Sequence, residues 1–147
     1  MNLDKKREFD MVTLEKVEEM FACFPLIQLL NPQMTLDTYQ AYLKRMVDLG
    51  YRQVVVRKDS NLIAVTGYWL GVKLYCGPYL EVDNLVVQED FRGLGIGRQI
   101  MEFLYQEAQQ KGCLVIMLDA YKNNTRAGQF YSNLGFEAKG NHWIRLV

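Results

Sequence analysis

The chain is poor in the residues that most site chemistries need. Its 147 residues include one histidine, His142, and three cysteines, Cys23, Cys76 and Cys113, with no C-x-x-C pair. Such a set supplies neither a zinc site nor a disulfide framework, and the thiols read as reduced, mostly core residues. An excess of charge is missing too: seventeen Lys+Arg balance seventeen Asp+Glu. No global basic field is available for nucleic acid, and no acidic tail is present. Unbroken apolar runs are strand-sized, well short of the ~20 residues of a membrane span. The charged start around Lys5, Lys6, Arg7 and Glu8 has no apolar stretch behind it of the kind a secretory signal carries. These absences lead to an expectation of a soluble, cytoplasmic protein with no metal, membrane or nucleic-acid partner. With half its residues hydrophobic and no low-complexity tract, residues 1–147 read as one domain around one core.

Periodicity then sets an order of elements. Leu14, Val17, Phe21 and Phe24 recur at helical spacing, and Pro25 is expected to end that helix. Thr35 suits the N-cap of a second helix, with Tyr39, Tyr42, Leu43 and Met46 on one face and Gly50 as its stop. Residues 51–57 and 62–70 read as a hairpin around Asp59-Ser60-Asn61, and residues 79–87 as a third strand. A helical stripe of Ile96, Ile100, Phe103, Leu104 and Ala108 follows. Residues 114–118 form a continuous apolar run, expected to be a strand covered on both faces. Ala127, Phe130, Tyr131 and Leu134 make a last short stripe, and residues 136–147 read as strand, with a hairpin around Gly140-Asn141 as one option. The fold class is mixed α/β: a mostly antiparallel central sheet, helices on both faces, and one parallel crossover.

The densest signal is Glu89-Asp-Phe-Arg-Gly-Leu-Gly-Ile-Gly-Arg98. It lies between a predicted strand and a predicted helix. A glycine-rich turn there aims backbone N–H groups at an anion, at the positive end of the helix dipole. A dinucleotide fingerprint needs glycine where Arg98 stands, although Asp119 sits where a ribose-binding acid would be. A P-loop lacks its Gly-Lys-Ser/Thr.

What fits is Arg92-x-x-Gly95-x-Gly97, joined about thirty residues later by Asn124-x-x-Ala127-x-x-Phe130-Tyr131-x-x-Leu134-Gly135-Phe136. The pair resembles the two signatures of the GNAT superfamily of N-acetyltransferases, and the element order resembles that family's order over nearly the whole chain. The resemblance implies a GNAT fold whose strands 79–87 and 114–119 splay apart, with acetyl-CoA as co-substrate in the gap. It places the pyrophosphate on the amides of Gly93, Leu94, Gly95, Ile96, Gly97 and Arg98, with Arg92 among the basic residues flanking the phosphate end. It places pantetheine on the main chain of Leu85, Val86 and Val87, where one amide supports the thioester oxygen. A donor of that kind is worth on the order of 3 kcal/mol. Asn124 is implied as a further cofactor contact, and capping alone equally explains an asparagine there.

The implied reaction is direct attack of an amine, from a small molecule or a protein, on the thioester within a ternary complex. An amine of pKa ~10 must shed a proton first. Glu81 and Asp83, two apart on one strand face, are the candidate bases, with a water chain as the other route. Glu81 precedes Arg92 by eleven positions, an offset similar to that of the histone-acetyltransferase branch. Tyr131 is implied as the acid that protonates the departing thiolate. Aromatic residues Phe24, Tyr39, Tyr42, Tyr68, Trp69, Tyr75 and Tyr79 fall on the implied acceptor side, and His142 and Trp143 are expected only to pack. A non-catalytic acyl-CoA sensor of the same fold is the alternative, and a homodimer is left open.

Overall fold

The structure is a computed structural model that describes residues 9–147; the charged start at residues 1–8 lies outside them. Five strands form one sheet in chain order: β1 (Asp10–Leu14), β2 (Tyr51–Lys58), β3 (Asn61–Lys73), β4 (Gly77–Val87) and β5 (Val115–Leu118). The first three junctions are antiparallel and β4–β5 is parallel. The β2–β3 turn is tight because Asp59 and Ser60 both take positive φ, 49° and 69°, the handedness that matches the twist of the flanking strands.

Helices cover both faces. On one side lie α1 (Val17–Met20), a 3-10 turn (Phe21–Cys23), α2 (Phe24–Leu30) and α3 (Leu36–Asp48). Their Met20, Leu26, Ile27, Tyr39 and Leu43 bury against Tyr51, Val55, Val65 and Val86. On the other lies α4 (Ile96–Gln110), whose Ile96, Ile100, Leu104 and Ala108 meet Val54, Val56, Ile63, Leu80 and Val82. Ile100 and Leu104 are wholly buried, and each such side chain stabilises the fold by about 1.5–3 kcal/mol. Helix α5 (Thr125–Asn133) packs Phe130 and Tyr131 against that second cluster. Thr35 caps α3 by accepting from the Thr38 amide at 3.2 Å.

Four sequence expectations change. Leu14 ends a strand, paired with Gln53, instead of opening a helix. Helical spacing and strand spacing give the same apolar hits over so short a run, and β1 was hidden by this. Pro25 starts α2 instead of ending a helix, because the first turn has no use for its missing N–H. β5 is half-buried along its length, so its apolar run does not mean cover on both faces. Residues 136–147 form neither strand nor hairpin, and only Phe136 of them packs on the core.

Two glycines inside β3 answer to packing. A Cβ on Gly67 would strike the Tyr51 ring, and one on Gly71 the Tyr79 ring. Bare backbone lets both rings lie flat over the strand.

Candidate active site

Parallel pairing between β4 and β5 runs only from Tyr79↔Val115 to Val82↔Leu118. Beyond Val82, β4 continues for five residues with β3 on one edge and no strand on the other among the described residues. The parting coincides with a bulge. Val65 faces Val86 and Gly67 faces Asp83, so Thr66 stands opposite both Asn84 and Leu85. Asn84 takes φ +54°, a left-handed conformation that asparagine tolerates better than most residues. The Gln88 amide donates to Ile63 across the β3 edge. Strand alternation then turns the main-chain groups of Val86 toward β3 and those of Leu85 and Val87 toward the free edge.

Past Val87 the chain makes a short 3-10 turn (Glu89–Phe91) and enters the glycine loop. Gly93 and Gly95 have φ +78° and +80°, and no protein atom lies within 4 Å of a Cβ placed on either. Their requirement is thus backbone conformation, together with an open approach to the amides. Gly95 is the N-cap of α4 and brings no side chain to satisfy the first-turn donors, which stay available to an anion. Gly97 differs: its φ is ordinary, and a Cβ there would touch the Phe130 ring at 3.4 Å, a normal contact between α4 and α5. Ile96 is buried, so only its amide faces the loop, while Leu94 and Arg98 are exposed. The Arg92 Nε donates to the Val87 carbonyl at 3.0 Å and ties the loop to the end of β4. Asn124 caps α5, its Oδ1 accepting from the Ala127 amide at 3.1 Å.

The candidate bases and the candidate acid sit on opposite faces of the sheet. Leu80 and Val82 point into the α4 cluster, so Glu81 and Asp83 point toward α1–α3. The bulge follows both residues and leaves them on one side. Asp83 accepts from the Trp69 indole at 3.2 Å, while Glu81, opposite Trp69 in register, has no such bond among the described residues. Tyr131 lies on the α4 side, edge-on to Phe130 and Phe136 at 5.1 and 5.9 Å. Burial raises its pKa above the ordinary 10.0 because the phenolate would lose hydration, so it holds its proton well above neutral pH.

Sequence reasoning missed the support beneath Asp83. Gln53, fully buried, donates through Nε2 to the hydroxyls of Tyr39 and Tyr51 at 3.1 and 3.2 Å, and Tyr39 donates to the Met20 carbonyl. The Tyr51 ring packs against Trp69 at a 58° tilt, centroids 5.1 Å apart, and Trp69 holds Asp83. A glutamine in the middle of a valine-rich strand was the visible signal. Of the acceptor-side aromatics, Tyr39 and Tyr68 are core, and Tyr68 lies on the α4 side. Tyr42 and Tyr75 are exposed. Trp143 does not pack but stands 89% exposed, and His142 Nδ1 lies 3.3 Å from an Asp119 carboxylate oxygen. The described residues include no group of three or more His, Cys, Asp or Glu that could hold a metal, and no helix long and apolar enough to cross a membrane.

The sequence profile of the acetyltransferase (GNAT) family matches residues 14–136: the chain belongs to that family. It is 31% identical over 101 residues to glucosamine 6-phosphate N-acetyltransferase 1 of Dictyostelium discoideum, covering 67% of this chain and 62% of the relative. It is 30% identical over 89 residues to the Arabidopsis thaliana glucosamine 6-phosphate N-acetyltransferase, 58% of each chain. The chain thus matches about three-fifths of the length of these relatives. Among solved structures, aminoglycoside N-acetyltransferase AAC(6')-Iy in complex with CoA superposes with a TM-score of 0.84 at 16% identity, covering 99% of both chains. The Arabidopsis thaliana enzyme gives 0.73 at 20%, covering 94% of this chain and 97% of that one. These similarities establish a GNAT fold.

Proposed function

We propose that the protein is an acetyl-CoA-dependent N-acetyltransferase acting on a primary amine of a small molecule or a protein. The observation that carries the reading is the free edge of β4 from Asp83 to Val87, leading directly into the unshielded amides that start α4. The residues fit acetyl-CoA. The open main-chain groups of Leu85 and the Val87 amide suit the amide-bearing pantetheine arm, which takes the place of a fifth-strand neighbour. Gly93, Gly95 and the first amides of α4 suit its diphosphate.

The relatives named above act on sugar amines, and an amine acceptor follows for this chain on the same chemistry. Carboxylates beside the Trp69 and Tyr51 rings favour a cationic group. Glu81, whose carboxylate is not held by the indole, takes the amine's proton as the nitrogen attacks the thioester carbon. The C–N bond forms, the C–S bond breaks, and Tyr131 delivers its proton to the departing sulfur. Asp83 orients and attracts the ammonium ion.

Thiol release from acetyl-CoA, followed with a panel of aminoglycosides, amino sugars, polyamines and lysine peptides, tests the reading. Turnover with at least one amine, lost in Tyr131→Phe while acetyl-CoA still binds, is the expected result. Tight binding with no turnover on any amine would mark a sensor instead.

A further inference from the structure

The bulge at the parting of β4 and β5 needs a support of its own. Asn84 stands at its apex with φ +54°. A side-chain-bearing residue is strained there and persists in that conformation only where its surroundings hold it.

Two groups hold it. The first lies within the sheet: the hydroxyl of the wholly buried Thr66 is 3.3 Å from the Asp83 carbonyl and 3.2 Å from the Gly67 carbonyl. A hydroxyl has one proton to give, so this grip is divided. The second comes from the helical layer. Helix α2 ends at Leu30, and Asn31 is its C-cap. Asn31 Nδ2 donates to the Ile27 carbonyl at 3.1 Å and, across fifty-three positions of chain, to Asn84 Oδ1 at 3.4 Å.

The Ile27 carbonyl settles how both amides are turned. A carbonyl only accepts, so the Asn31 atom facing it is the NH2 group. The second proton of that group then requires an oxygen, and Asn84 must present Oδ1. Asn31 is itself fixed: its main-chain N–H donates to the Ile27 and Gln28 carbonyls at 3.2 and 3.1 Å, and its carbonyl accepts from the Met34 amide at 3.0 Å. The hold on Asn84 comes from a rigid corner.

The effect falls on the next residue. If Asn84 returned to extended backbone, β4 would absorb the extra residue, and the chain beyond would turn over by one position. The main-chain groups of Leu85 would swing from the free edge toward β3, and the place suited to pantetheine would close. We infer that Asn31 is a positioning residue for acetyl transfer, keeping the Leu85 amide at the free edge through the side chain of Asn84. Helix α2 packs on the sheet face that carries Glu81 and Asp83, so the amine side and the thioester side of the site share one anchor. The inference rests on the acetyl-transfer reading.

A double-mutant cycle on acetyl-CoA binding, measured by calorimetry, tests it. Asn31→Ala should raise the dissociation constant about fivefold, the contribution of one hydrogen bond. Asn31→Leu, which keeps the volume of the corner, should do the same. Glycine takes positive φ without help, so in an Asn84→Gly background Asn31→Ala should change the constant by less than about twofold. The amide–Hα NOE within Asn84, strong where φ is positive, should weaken in Asn31→Ala. An equal loss in both backgrounds would mean that Asn31 serves α2 alone. Unchanged binding and an unchanged NOE in Asn31→Ala would mean that the bulge holds itself. Either result overturns the inference and leaves the acetyl-transfer reading standing; a wild-type protein that binds no acetyl-CoA overturns both.

Discussion

From Tyr79 to Val82, β4 lies between two strands; from Asp83 to Val87 it keeps β3 and loses β5. Both halves donate buried residues to the core, Leu80 and Val82 in the first and Val86 in the second. Hydrophobic burial therefore does not distinguish them. What differs is one extra residue at Asn84, which bends the strand where it parts from β5 and leaves that edge open. The comparison teaches that the site is made by withholding a neighbour, and that the loop after it is made by withholding side chains.

The comparison can be broken at several points, the strongest first. Gly95→Val should abolish acetyl-CoA binding in calorimetry, because a β-branched residue at φ +80° costs about 1–2 kcal/mol of backbone strain and also obstructs the loop amides. Gly67→Ala, in the strand facing the bulge, should instead damage stability, since its new methyl displaces the Tyr51 ring. A loss of about 1–3 kcal/mol in urea unfolding is expected from such overpacking. Tyr131→Phe should lower kcat by about 10²–10⁴-fold, the range of a general acid, with the acetyl-CoA dissociation constant nearly unchanged. Glu81→Gln should lower kcat/KM by about 10²-fold as loss of a base. Asp83→Asn should cost only about fivefold, the worth of one hydrogen bond; the reverse order would move the base to Asp83. Gly97→Ala should be nearly neutral in both stability and binding.

A pH series sharpens the contrast between the two sheet faces. Burial raises the phenols of Tyr39, Tyr51 and Tyr68 above 10.0 and pushes the Cys23 thiol from 9.0 up to about 12. These groups are neutral in the fold and ionise more readily once unfolded. Their contribution is complete below about pH 9 and is lost as pH rises through 9 toward 12 and beyond. Thermal midpoints measured from pH 8 to 11.5 should be level at first and then fall. Gln53 donates to the Tyr39 and Tyr51 hydroxyls and thereby lowers both phenols against the larger effect of burial, so Gln53→Leu should raise them further, strengthen the alkaline dependence and lower kcat/KM at neutral pH.

Much of this was legible in the residues because local chemistry and tertiary role agree there. The glycine loop, the Thr35 cap, the Asn124 cap and the α4 stripe each follow from rules that act within a few residues. The parting of β4 from β5 was an implication of the family resemblance, and the bulge that produces it had only Asn84 as a local sign. β1 was masked because Leu14 and Val17 satisfy two periodicities at once. The Gln53–Tyr39–Tyr51 knot joins residues fourteen positions apart and could be found only once β2 met α3. The arm beyond Phe136 has strand composition without a strand neighbour among the described residues.

Amide hydrogen exchange by NMR on β4 tests the central claim most directly. In the free protein the edge amides of Leu85 and Val87 should exchange fast while those of the Tyr79–Val82 stretch are protected. Saturating acetyl-CoA should slow Leu85 and Val87 by orders of magnitude and leave the paired half unchanged. Protection of Leu85 and Val87 before acetyl-CoA is added, or no change after it, would contradict a cofactor-binding edge on β4.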